Sequence, residues 1–323
     1  MESKRVVVVD ALNMFIRAYI VNPSMSTNGN PVGGILGFMG ILRKLIRETK
    51  ADQVVICWDG PGGSLKRREV VKEYKLGRKP IRKNYEVDGM DEQSERENKI
   101  WQQQLLLEII NEMPMVQLML SNVEADDIIS YITRHPAYDG WQKVVVSSDK
   151  DFIQLLDDDT VLLRPIQKKV YTRKTVIDDY GISPQNFVAA RAIAGDPSDN
   201  LAGVPRAGLT TIAKRMPFLA EQKDHNLDDI NTYCEEQAEN NKIKFFQNVC
   251  ENYELVKTNY KIMNLLPPSI SPQGKSKLDY AVDNFEFSLN ATALRTISIT
   301  NGFAHFDWSE LIASMRRIID NNK

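Results

Sequence analysis

Three apolar runs in this chain end in aspartate, and that repeated ending restricts the fold more than any other feature. Val6-Val7-Val8-Val9 runs into Asp10, Gln53-Val54-Val55-Ile56-Cys57-Trp58 runs into Asp59, and Lys143-Val144-Val145-Val146-Ser147 leads through Ser148 to Asp149. Unbroken apolar character of this kind predicts strands buried on both faces, as in a parallel sheet covered by helices. Between the first two runs, Ile35, Phe38, Met39, Leu42, Leu45 and Ile46 fall at helical spacing, predicting a helix over 33–48. Trp101, Leu105 and Ile109 mark another over 95–111. Shorter strands are expected at 115–120, 160–163 and 169–171, with helices over 124–132 and from 151 to 156. Strand and helix in alternation predict a mostly parallel α/β core.

Beyond 182 the pattern turns helical, and Ser183-Pro184 is a good helix start. The expected organisation is an α/β core over 1–182, a helical region over 183–265 and a helical extension over 266–323. The middle region carries a glycine-bearing turn at 203–208 and a polar stretch at 235–244, and Leu266-Pro267-Pro268-Ser269 forms a joint before the extension. Apolar spacing in that extension points to packing against the core ahead of docking to a partner protein.

Charge is distributed unevenly. The 323-residue chain has a formal net charge of -2, with 42% hydrophobic and 26% charged residues, an ordinary globular balance. From Lys66 to Lys83, however, nine basic residues face only Glu69 and Glu73, a local net charge of +7. Gly77, Pro80 and the polar tract to about residue 97 make this a projecting segment, suited to a polyanion. Cys57, Cys234 and Cys250 are too widely spaced for a disulfide framework or a zinc motif and fit a reduced compartment. No apolar run is long enough for a membrane span, and MESKR is not followed by a signal-peptide core, so a cytoplasmic protein is expected.

Acids collect where strands end and helices begin. Asp10 and Asp59 each follow an apolar run, a position that serves a crevice at the carboxyl edge of a sheet or simply caps the next helix. Glu124, Asp126 and Asp127 stand beside the apolar Ala125 and Ile128-Ile129, where uncompensated carboxylates repel. Asp149 and Asp151 repeat the arrangement, and Asp196 and Asp199 lie in Gly195-Asp196-Pro197-Ser198-Asp199-Asn200. Nine acids at five places suit hard cations such as Mg²⁺ or Mn²⁺, completed by phosphate oxygens. There is no EF-hand spacing, no P-loop and no Ser-His-Asp pattern, and His135, His225 and His305 sit in no motif. Water activated by a pair of ions is then the preferred nucleophile.

Val123-Glu124-Ala125-Asp126-Asp127, Ser147-Ser148-Asp149-Lys150-Asp151 and Gly195-Asp196-Pro197-Ser198-Asp199-Asn200, in that order, resemble the flap endonuclease or 5′-nuclease family. That family includes the 5′-nuclease domain of bacterial DNA polymerase I and phage enzymes called ribonuclease H or 5′–3′ exonuclease. The likeness extends over about residues 5–265. It implies a PIN-like, mostly parallel sheet, a basic helical arch over about 64–97 and a helix–three-turn–helix for duplex DNA. By the same resemblance Asp10, Asp59, Glu124, Asp126, Asp127 and Asp149 belong to a first metal site. Asp149, Asp151, Asp196 and Asp199 belong to a second. Arg67, Arg68, Lys75 and Arg78 match phosphate-facing positions, with Lys75 and Arg78 drawing the scissile phosphate to the ions.

Leu201-Ala202-Gly203-Val204-Pro205 fits the helix–three-turn–helix, which often binds K⁺ through main-chain carbonyls. Arg206 replaces a usual glycine and Thr210 a usual lysine, so the K⁺ site is expected to be weakened, with Arg206 and Lys214 as alternative phosphate contacts. The resemblance implies a monomeric, Mg²⁺-dependent 5′–3′ exonuclease and flap endonuclease with scope for ribonuclease H activity, working in DNA replication. Its substrates would be branched, nicked or 5′-flap DNA and RNA–DNA hybrid, and replication proteins its partners. Two other readings are a PIN-like RNA nuclease and a non-catalytic DNA-binding protein. The basic segment together with the glycine turn disfavours the first, and the retained nine acids the second.

Overall fold

The computed structural model describes residues 3–165, 167–240 and 243–323. Its centre is a six-stranded sheet made of β1 (Arg5–Asp10), β2 (Gln53–Trp58), β3 (Val116–Met119), β4 (Gln142–Val146), β5 (Thr160–Arg164) and β6 (Lys169–Tyr171). The order is β3-β2-β1-β4-β5-β6, parallel except where β6 runs against β5. Successive residues of a strand point to opposite faces, so each valine run feeds two cores. Val7, Val9, Val54 and Ile56 enter one, and Val6, Val8, Val55 and Cys57 enter the other. This two-sided burial is what the unbroken apolar runs predicted.

One face carries α1 (Ala11–Val21), α2 (Gly33–Thr49) and, beyond the short α3 (Leu65–Val70), α4 (Glu92–Asn111). The other carries α5 (Ala125–Ile132) and a helical layer. That layer includes α6 (Arg173–Tyr180), α7 (Pro184–Ala194), α8 (Leu209–Arg215), α9 (Leu227–Asn240), α10 (Lys244–Glu251) and α11 (Tyr253–Met263). The polar stretch at 235–244 is thus helical up to Asn240, while residues 241 and 242 lie outside the described residues. A continuous apolar core crosses residue 182, joining Val8 and Val145 to Phe187, Ile193 and Phe246. The segment from 151 is a single 3-10 turn, Asp151–Leu155, and not a longer helix.

The extension returns to the sheet as α12 (Pro272–Asp283), α13 (Ala291–Thr300) and α14 (Ser309–Asn321). Leu294, Trp308, Leu311, Met315 and Ile318 share the core of α2, and Arg47 holds Glu310 at 2.8 Å. Among the described residues no helix is long and apolar enough to cross a membrane.

Helices leave β1 toward one face and precede β4 on the other, so the chain changes direction between these adjacent strands. A crevice opens at such a switch point, beyond the carboxyl ends of the strands. Parallel register sets Asp10 beside Cys57, and Ser147 directly follows the β4 residue paired with Val9. The acids after β1, β2 and β4 are therefore delivered to one edge.

Candidate active site

Asp10 caps the helix that follows it, as its position allowed, whereas Asp59 meets the start of a helix much further along the chain. Asp10 Oδ1 caps α1 by accepting from Asn13 N–H at 3.1 Å, and its Oδ2 accepts from Ser147 Oγ at 2.8 Å. Asp59 Oδ1 accepts from Ala125 N–H at 2.9 Å, at the start of α5. Asp149 N–H donates to Ser147 Oγ at 3.0 Å, and Asp151 N–H donates to Asp149 Oδ1 at 2.9 Å. A short chain of hydrogen bonds thus fixes three acids, Asp10 at the end of β1 and Asp149 and Asp151 beyond β4.

The carboxylates disturb one another. Burial first, then Asp59 and Asp149, push Asp10 up to about 7. Burial and then Asp149 push Asp151 up to about 7 against the opposing pull of Arg191. Asp126 is held well above the usual aspartate range by burial, with Asp149, Asp10 and Glu124 adding to it and Lys75 opposing. Burial also raises Asp59. Glu124 goes the other way: burial opposes its ionisation, but Arg67 and Lys75 outweigh it and hold the carboxyl below the usual range. An oxygen-only cluster that carries this much repulsion is chemically suited to hard divalent cations.

Cations already lie among these acids. Arg67 Nη1 meets Glu124 Oε2 at 2.7 Å and Asp127 Oδ2 at 2.9 Å. Lys75 Nζ meets Glu124 Oε1 at 2.9 Å, Tyr74 donates its hydroxyl to Glu124 Oε2 at 3.2 Å, and Arg78 pairs with Asp199. Among the described residues no three acids, histidines or cysteines are arranged to close round a metal ion as they stand. A divalent ion would have to compete with these cationic side chains for carboxylate oxygens.

The first part of the basic segment folds inward at Arg67, Tyr74 and Lys75, while Lys72, Lys79 and Arg82 stay exposed. α3 is its one helix before α4; residues 72–77 form turns, Tyr74 is buried, and Lys75 has φ 55°. Lys75 and Arg78 do not share a helix face, because left-handed backbone at Lys75 breaks any helix there. Lys75 N–H donates to Asp199 O at 3.0 Å, which ties the turn to the acid loop. Arg67, Lys75 and Arg78 meet acids distant in sequence, and the other basic residues of the segment keep the polarity that suggested projection. Arg68 braces the turn, donating to Tyr74 O at 3.1 Å.

Asp127 stands apart from the other acids. Its Oδ1 accepts from Ser269 N–H at 2.7 Å and its Oδ2 takes Arg67, so both oxygens are occupied by protein groups. Adjacent residues on a helix point about 100° apart, so Asp126 enters the crevice while Asp127 turns toward the Pro-rich joint. Arg206 and Lys214 lie exposed on the turn and on α8.

Arg206 occupies the expected glycine position at φ 64°, so the glycine-like backbone survives the substitution. Close packing of Gly195 and Gly203 supports this turn: a Cβ on Gly203 would lie 1.9 Å from Ala194 O. Gly203→Ala is therefore expected to destabilise the fold by about 1–3 kcal/mol, as overpacking does. Urea denaturation measures it; an unchanged midpoint would show that the turn tolerates a side chain.

Several residues at the site carried no sequence signal strong enough to single them out. Arg191 bridges Asp151 and Asp196. Arg17 donates to Asn13 Oδ1 at 3.1 Å; burial first and then Arg164 pull its guanidinium below the usual arginine range, against Asp10 and Asp149. Arg164 donates to Ser148 O at 2.9 Å, and its Nε is buried with no partner among the described residues. Asp10, Asn13 and Arg17 fall on one face of α1 by their spacing, which is the one sequence clue to Arg17.

Sheet order and a carboxylate crevice at its switch point define the class, a PIN-like resolvase fold. Residues 5–181 match the family model for "5'-3' exonuclease, N-terminal resolvase-like domain", so the chain belongs to the 5′–3′ exonuclease family and is a 5′-nuclease. It is 27% identical over 304 residues to the 5′-3′ exonuclease of Buchnera aphidicola, covering 92% of this chain and 95% of that one. It is 30% identical over 220 residues to DNA polymerase I of Bacillus subtilis, covering 66% of this chain but 23% of the polymerase. The bacteriophage T5 flap endonuclease, solved with DNA and metal ions, superposes with a TM-score of 0.63 at 19% identity. That superposition covers 92% of this chain and 98% of the phage enzyme, and shows a shared fold.

Proposed function

We propose that this 5′-nuclease hydrolyses phosphodiesters in duplex DNA carrying a 5′ flap, a nick or an RNA primer, leaving a 5′-phosphate and a 3′-hydroxyl. The observation that carries this reading is the convergence of mutually repelling acids, with Lys75 and Arg67 folded onto them. Asp10, Asp59, Glu124, Asp126 and Asp149 would hold one divalent ion, and Asp149, Asp151, Asp196 and Asp199 a second. Such ions, Mg²⁺ with Mn²⁺ able to replace it, would activate water and stabilise the leaving oxygen.

The chain's own groups do the rest. Lys75 and Arg78 exchange their carboxylate partners for the scissile phosphate, and Arg17 and Arg164 offer two guanidiniums for a neighbouring phosphate. Arg67, held by Asp127, keeps Glu124 ionised. Arg206 and Lys214 contact duplex backbone, and the 203–208 turn keeps a weakened K⁺ site. Removal of RNA primers during replication is the task this chemistry suits, in the cytoplasm, as a monomer and alongside replication proteins.

Cleavage of matched 5′-flap, nicked, single-stranded and RNA–DNA substrates tests the reading. Flap and nicked duplexes are expected to be cut fastest in Mg²⁺ or Mn²⁺, with no product in EDTA. Equal cutting of single-stranded RNA, or undiminished activity in EDTA, would overturn it.

A further inference from the structure

Asp151 and Asp196 are 45 residues apart in the chain and meet through one guanidinium. Arg191, on the last turn of α7, sends Nε to Asp151 Oδ1 at 3.0 Å and Nη2 to Asp196 Oδ2. Its Nη1 also reaches Gly195 O, at 3.4 Å. Asp196 Oδ1 accepts from Ser198 N–H at 2.8 Å and from Ser198 Oγ at 2.6 Å. Both oxygens of Asp196 are therefore engaged within the protein, whereas Asp151 Oδ2 has no hydrogen bond among the described residues.

The local backbone is built to make this bridge. α7 stops at Gly195, whose φ of 73° turns the chain back. A Cβ there would lie 2.4 Å from Gly203 N, so the reversal brings Asp196 beneath the arginine five residues earlier. A guanidinium presents N–H groups along several directions in one plane and so engages two carboxylates from different segments at fixed angles; an ammonium is a single compact charge. Arg191 is also largely shielded from water, with a side-chain exposure of 13%, so its charge is only partly screened.

We propose that Arg191 is a positioning residue for the second carboxylate group, aligning Asp151 with Asp196 and competing with a divalent ion for their oxygens. This rests on the two-ion reading given above. Two consequences separate the functions of its charge and its shape. Loss of the charge leaves the acids more attractive to a cation. Loss of the fork lets the two carboxylates drift, and a displacement of about 1 Å at a reacting centre costs roughly 100-fold in rate.

The test compares wild type, Arg191→Gln and Arg191→Lys. Mn²⁺ binding to the DNA-free protein is followed by electron paramagnetic resonance, and single-turnover cleavage of a 5′-flap duplex is measured at saturating Mn²⁺. Arg191→Gln is expected to bind the weaker Mn²⁺ about tenfold more tightly and to cleave about 100-fold more slowly. Arg191→Lys is expected to keep wild-type Mn²⁺ affinity and yet cleave slowly, because it restores the charge without the fork. Unchanged Mn²⁺ affinity in Arg191→Gln, even with a lower melting temperature, overturns the competition and leaves a structural contact. Full activity in Arg191→Lys overturns the alignment. A wild-type protein that binds no Mn²⁺ would instead overturn the two-ion reading itself.

Discussion

Asp149→Asn is expected to slow single-turnover cleavage by roughly 100- to 1,000-fold while leaving duplex affinity unchanged or slightly higher. Asp149 is the acid that influences both groups: its charge acts on Asp10 and Asp126 on one side and on Asp151 on the other. Its position is fixed by its own N–H on Ser147 Oγ and by the Asp151 N–H on its Oδ1. Asparagine keeps the size and an acceptor oxygen, so the hydrogen-bonded chain from Ser147 to Asp151 survives. What disappears is one negative charge shared between the two proposed ions, and the catalytic loss follows from that. DNA affinity draws on the basic side chains, and removing a charge that faces the phosphate does not weaken it. Rapid-quench kinetics at saturating flap DNA, beside binding measured in Ca²⁺, separates the two quantities. A rate within tenfold of wild type would remove Asp149 from the metal-holding set.

Lys75→Ala is expected to lower the rate at saturating DNA by about 100-fold, with a smaller loss of affinity. Lys75 is held in an uncommon backbone conformation, φ 55°, by its N–H bond to Asp199 O. Its Nζ reaches Glu124 Oε1 at 2.9 Å and lies 4.9 Å from the centre of the Tyr74 ring. Strain at a residue that points into a charged crevice is the usual mark of a positioned functional group. Arg67 also pairs with Glu124, so the alanine variant keeps a counterion for that carboxylate, and the acid cluster should not collapse. The phosphate would then lack its nearest guide to the acids, while eight other basic residues between Lys66 and Lys83 continue to attract DNA. An unchanged rate at saturation, with weaker binding alone, would reduce Lys75 to a general DNA-attracting charge.

Much of the architecture could be read without coordinates. Unbroken valine runs predicted strands buried on both faces, and period-3.6 patterns predicted the helices, because both follow from local geometry repeated along the chain. Asp10 makes the expected cap on the next helix, while Asp59 meets the start of α5, a partner 66 residues away that local pattern does not carry. The sequence by itself determined the strands, the helices and which segments bring acids to the sheet edge. It did not determine which charges meet.

Only tertiary packing decided that Lys75 folds back on Glu124, that Asp127 faces Ser269 instead of the crevice, and that Arg191 joins Asp151 to Asp196. These contacts span from 5 to 142 residues. An arginine on a helix looks the same in sequence whether it faces water or a carboxylate. Its direction is set by how that helix rests on its neighbours, and an ion pair depends on angstroms that local periodicity does not carry.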